Sequence, residues 1–143
     1  MNEKNDKVNN LISYICDDLD IEKPQLTILD SMEGTMLAYY DAANDILAVK
    51  DSYKSDYDMV FAVAHELRHK YQYVNKLLQK PYKSREQLSV FDYNMQIQEL
   101  DANAYAYIFL DFEFGVKPLF NGLDNRIVQA IIDRANYILN TEY

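Results

Sequence analysis

One cysteine, two histidines, three glycines and three prolines are spread through 143 residues, and each scarcity excludes something. A lone Cys16 closes no intrachain disulfide, so the fold has to rest on a hydrophobic core. In its apolar helical context Cys16 reads as a small core residue and points to a reducing compartment. Without a run of Pro, Gly or Ser there is no linker, and there is no internal repeat or low-complexity tract. The expectation is one domain, residues 1–143, around one core. No apolar run reaches membrane-spanning length, and the polar start Met1-Asn2-Glu3-Lys4-Asn5-Asp6-Lys7 leads into no apolar signal segment. No membrane association and a cytoplasmic location are therefore expected. Positive charge is scarce too: 14 Lys and Arg against 23 Asp and Glu leave a net charge of −9, which opposes direct binding of nucleic acid or an anionic membrane.

Both histidines fall in one stretch, Val63-Ala64-His65-Glu66-Leu67-Arg68-His69. On a helix, residues four apart share a face, so His65 and His69 can offer their imidazoles to one metal ion. Zinc suits neutral imidazole nitrogen and, in catalytic sites, takes three protein ligands and keeps one position for water. In this motif Glu66 stands beside that water and takes its proton. The plainer reading is a buried helix whose histidines are merely hydrogen-bonded.

The remaining pattern predicts an α+β fold. Val8, Leu11, Ile12, Ile15, Cys16 and Leu19 recur at helical spacing from about Asn5 to Leu19. After Pro24, the segments around Leu26 and Ile28, Met36 to Tyr40, and Ile46 to Val49 read as a small three-stranded antiparallel sheet. Ser55 and Asp58 form a capping-box variant that opens the motif helix, which is expected to end in a loop near Gln79 to Arg85, around Pro81. A second long helix is expected over roughly Leu88 to Asp111. A last one, capped by Asp124, carries the apolar face Leu123, Ile127, Val128, Ile131, Ile132, Ala135 and Ile138 and has no assigned chemistry.

Within the second long helix, Glu99, Ala102, Asn103, Ala106 and Leu110 share a face and Asp101 points away from it. Two alanines let another helix approach closely, and a carboxylate in such a contact is costly unless paired or bound to metal. Glu99 is thus the candidate third ligand, against the alternative of a surface glutamate at the edge of the face. Asn103, one turn on, is placed to hydrogen-bond a ligand. Asp101, Asp111 and Glu113 are weaker ligand candidates. Lys70, Lys76, Lys80, Lys83 and Arg85 form a local basic patch, read either as solvated surface or as a docking site for an acidic partner.

His-Glu-Leu-Arg-His at 65–69, followed 30 residues later by Glu99-x-x-Ala102-Asn103-x-Tyr105-Ala106, resembles the zinc metallopeptidases of the ImmA/IrrE type. The resemblance spans about residues 25–112. It implies a small zincin-like domain, with a short sheet preceding the motif helix, His65, His69 and Glu99 on zinc, and Glu66 as catalytic base. It also implies a protein substrate, such as a repressor or regulator associated with a mobile element or a stress response. Two positions depart from the family pattern: Arg68 replaces the glycine usual before the second histidine, and Asp111-Phe112-Glu113-Phe114 replaces a Met-Pro segment. Arg68, beside the metal face, reads either as a guide for a substrate carboxylate or as an ordinary solvent-facing arginine. The competing class is a non-catalytic binding module of the same fold, which would have no use for Glu66.

Overall fold

The computed structural model describes residues 3–118, 120 and 122–143; Met1 and Asn2 of the polar amino-terminal stretch lie outside the described residues. Among them are α1 (Glu3–Leu19), β1 (Gln25–Leu29), β2 (Ala38–Asp41), β3 (Ile46–Lys50), α2 (Asp56–Val74), α3 (Val90–Met95), α4 (Ile97–Phe114) and α5 (Asn125–Glu142). Among the described residues the fold is α+β, a three-stranded sheet with five helices, none of them long and apolar enough to cross a membrane.

The sheet is mixed, which corrects the antiparallel expectation. Its order is β1-β3-β2, with β2 antiparallel to β3 and β1 parallel to β3. The chain turns back after β1, runs β2 down the far edge, and returns as β3 through residues 42–45 to fill the gap. Asp41 stabilises that last turn by accepting from the backbone N–H of Ala43, 3.0 Å away. Because β3 closes a gap between two strands of opposite direction, it must be parallel to one of them. The central strand buries Leu47 and Val49 almost completely.

Ser55 caps α2 by accepting from the N–H of Asp58, as the capping-box variant predicts. The helix ends at Val74, earlier than expected, because Asn75 hydrogen-bonds back to the Tyr71 carbonyl and Lys76 and Leu78 take left-handed backbone angles. The expected second long helix is two helices. Gln96 between them is extended (φ −61°, ψ 137°), and Ser89 caps the short α3 by accepting from Asp92 N–H. Gly115, in the left-handed region, ends α4.

Nearly every residue of α4 from Gln98 to Leu110 is buried, so it is a helix without a solvent face. Tyr105, Ala106, Phe109 and Leu110 join a core built from α1, the sheet and α2, which also contains Cys16. Leu100, Ala104 and Ile108 pack against Ile127, Ile131, Ala135 and Ile138 of α5. Burial pushes the Cys16 thiol up to about 11, leaving it inert at neutral pH.

Such burial leaves charged groups inside. Arg68, expected near solvent or substrate, is 1 % exposed and pairs with Asp101 at 2.7 Å and with Glu142 of α5 at 2.7 Å. Asp101 also accepts from Arg134 of α5 at 3.0 Å, so the last helix carries polar contacts the sequence reading did not assign to it. Lys70 is likewise buried and pairs with Asp45 at 2.9 Å, which removes it from the basic patch; Lys76, Lys80, Lys83 and Arg85 remain exposed.

Burial alone would raise the Asp101 pKa, but the hydrogen bonds and charge of Arg68 outweigh it and hold the carboxyl below its usual range. Its contribution to stability is therefore complete above the unfolded value, about 3.9, and disappears as pH falls through the lower folded value. Asp101→Ala is expected to cost about 3–5 kcal/mol near neutral pH, read as a lower urea midpoint, with the difference from the unmodified protein shrinking in strong acid. An unchanged midpoint would show that the pair does not hold α2, α4 and α5 together.

Candidate metal centre

Helix α2 places His65, Glu66 and His69 opposite the first turns of α4. The two imidazole Nε2 atoms are 3.2 Å apart. Glu99, 2 % exposed, puts Oε1 3.2 Å from His65 Nε2 and Oε2 2.8 Å from His69 Nε2. Two donors bound at about 2.0–2.1 Å to one tetrahedral ion stand about 3.4 Å apart, so these spacings suit a single small cation.

The other ring nitrogens decide the protonation pattern. His65 Nδ1 lies 2.7 Å from Asn103 Oδ1, and His69 Nδ1 lies 3.1 Å from Gln72 Oε1. The orientation of Gln72 is dictated by its neighbours: its Nε2 donates to the Gln98 carbonyl at 3.0 Å and to Asp101 Oδ2 at 2.9 Å, both acceptors. Each imidazole therefore donates from Nδ1 to an amide oxygen, leaving an Nε2 lone pair aimed at the other ring and at Glu99. Two nitrogen lone pairs and a carboxylate converging in a buried space call for a cation, and His65, His69 and Glu99 can hold a metal ion together.

When no metal is bound, a proton answers the same need. Burial disfavours the His69 imidazolium, but the hydrogen bond and charge of Glu99 outweigh it and hold its pKa up at about 9. Burial would likewise raise Glu99, and the hydrogen bonds and charge of His65 and His69 override it and keep the carboxyl well below the carboxylate range.

Glu66 stands at the edge of the cluster. Its Oε1 accepts from the backbone N–H of Tyr40 on edge strand β2 at 2.9 Å, and its Oε2 is 3.6 Å from His65 Nε2. One oxygen is thus held while the other faces the centre. On the opposite side, Tyr82 places its hydroxyl 3.0 Å from Glu99 Oε2.

The structure brings together all five residues singled out from the sequence: His65, Glu66, His69, Glu99 and Asn103. The weaker candidates stand apart from the cluster. Asp101 is committed to Arg68 and Arg134, Glu113 accepts from Tyr14 at 2.8 Å, and Asp111 caps Gly115 through its carbonyl. Gln72, Tyr82 and the Tyr40 N–H were missed. Gln72 had a signal, since it lies three residues after His69 and so near it on the helix. The other two come from distant segments and had none.

Fold and site together define an α+β fold with a His-His-Glu cluster between two helices that could hold a metal ion. No protein-family model, curated protein or solved structure matches the chain.

Zinc uptake at pH 7 should release close to one proton per ion, because His69 otherwise holds one until about pH 9. Apparent affinity should accordingly fall as pH drops below that value. Calorimetry in buffers of differing ionisation enthalpy measures the release, and metal binding without it would contradict this arrangement.

Proposed function

We propose that the chain is a zinc-dependent peptidase of a zincin-like type that cleaves a peptide bond in a protein substrate. The observation that carries the reading is Glu66, an acceptor held by the Tyr40 N–H with its free oxygen toward a three-donor cluster. Structural zinc sites use four protein ligands, whereas three donors keep a position for a reactant. The donor set of two imidazoles and a carboxylate suits zinc.

Zinc, when bound, supplies Lewis acidity and lowers the pKa of a water toward about 7. Glu66 accepts that water's proton as its oxygen attacks the scissile carbonyl carbon, and returns the proton to the amine nitrogen as the C–N bond breaks. The Tyr40 N–H holds the Glu66 carboxylate against rotation during both transfers. Asn103 and Gln72 hold the imidazoles in the ligating tautomer. The resemblance to ImmA/IrrE-type enzymes supports a regulatory protein, such as a repressor, as substrate.

Two substitutions separate this from a non-catalytic binding module. Glu66→Gln should retain zinc while peptide cleavage falls by a factor on the order of 10² or more. Glu99→Gln should lose zinc first. Equal cleavage of a peptide-library substrate by the unmodified protein and Glu66→Gln would refute the mechanism.

A further inference from the structure

The connection between α2 and α3 crosses the metal centre and is fastened on both sides of Tyr82. Before it, Gln98 Nε2 donates to the carbonyls of Leu78 and Lys80 at 2.9 and 2.8 Å. After it, Gln96 grips the Lys83 backbone twice, accepting from its N–H at 2.8 Å and donating to its carbonyl at 3.0 Å. Gln96 is the N-cap of α4 and Gln98 lies in its first turn beside Glu99, so the grip on the connection and the cluster carboxylate share one turn of chain. The phenol is thereby carried to the cluster, its ring 6.5 Å from that of His69 and its hydroxyl 3.0 Å from Glu99 Oε2 and 2.9 Å from the Tyr93 hydroxyl. The residue as a whole is 48 % exposed, while its hydroxyl reaches the buried Glu99.

Among the described residues, the side chains bonded to the three metal-cluster residues divide clearly. Asn103 and Gln72 turn oxygens toward the imidazoles. Tyr82 brings an O–H to Glu99, with the Tyr93 hydroxyl beside it. Attack on an amide places negative charge on the acyl oxygen, and a donor already fixed near that oxygen stabilises it without reorganisation. We propose that Tyr82 is the catalytic hydrogen-bond donor to the substrate's acyl oxygen, with Tyr93 as a positioning residue that holds the phenol. The proposal rests on the peptidase reading and adds the residue that reading lacks. Rotation about the phenol C–O bond turns the hydrogen from Glu99 to the acyl oxygen, and no bond at Tyr82 breaks. The protons of hydrolysis travel through Glu66.

The test compares zinc-loaded unmodified protein, Tyr82→Phe and Tyr93→Phe. Zinc affinity is measured by chelator competition, and binding of acetohydroxamate, whose carbonyl oxygen stands in for the acyl oxygen, by calorimetry. Tyr82→Phe should keep zinc affinity within about threefold and weaken acetohydroxamate about tenfold or more, the loss of one hydrogen bond to a charged group. Tyr93→Phe should weaken it less. Unchanged acetohydroxamate binding in Tyr82→Phe would overturn the proposal and leave the metal centre standing. A tenfold loss of zinc affinity would also overturn it, because Tyr82 would then act through Glu99. Failure of the unmodified protein to bind zinc would overturn both readings, and it is seen before any variant is compared.

Discussion

Everything at the centre depends on Glu99, a carboxylate held in the contact between α2 and α4. Its side chain is 3 % exposed, and desolvation on that scale is sustained only by opposite charge or by ligation. The small neighbours Ala102 and Ala106, both fully buried, let the two helices approach closely enough for His65 and His69 to meet it. Removing the charge from this contact would leave two imidazoles with converging lone pairs and no common partner. The helix packing and the cation demand are one arrangement.

A second polar network lies beside the cluster on the same two helices, between Arg68 and Asp101. Gln72 joins the two, donating to Asp101 while accepting from His69, and Asp101 in turn holds Arg68 and Arg134. Arg68 extends this network to Glu142 at the end of α5. The orientation of the His69 imidazole in the cluster therefore depends on an ion network that ties three helices together. Buried charges that satisfy one another this fully also penalise alternative helix pairings, in which one of them would be left alone.

Much of the site was legible because helix geometry is local. The spacing of His65 and His69, the reach of Glu66, and the shared face of Glu99 and Asn103 follow from residues three and four apart. The Ser55 cap and the apolar faces of α1 and α5 were legible for the same reason. Strand direction was not, since alternating apolar residues look the same whether β2 lies beside β1 or one strand away. Arg68 illustrates the opposite limit: its type suggests solvent, and only the tertiary placement of Asp101 and Glu142 makes burial affordable. The break at Gln96 depends on its side chain gripping Lys83, a contact between segments whose proximity no periodicity encodes.

The central claim is that two histidines and one glutamate share a metal ion, and X-ray absorption at the zinc edge of stoichiometrically loaded protein tests it most directly. The expected first shell contains two imidazole nitrogens, with their outer-ring scattering, and oxygen donors, all at about 2.0–2.2 Å. A shell of oxygen alone, or one with a sulfur donor at about 2.3 Å, would contradict the account.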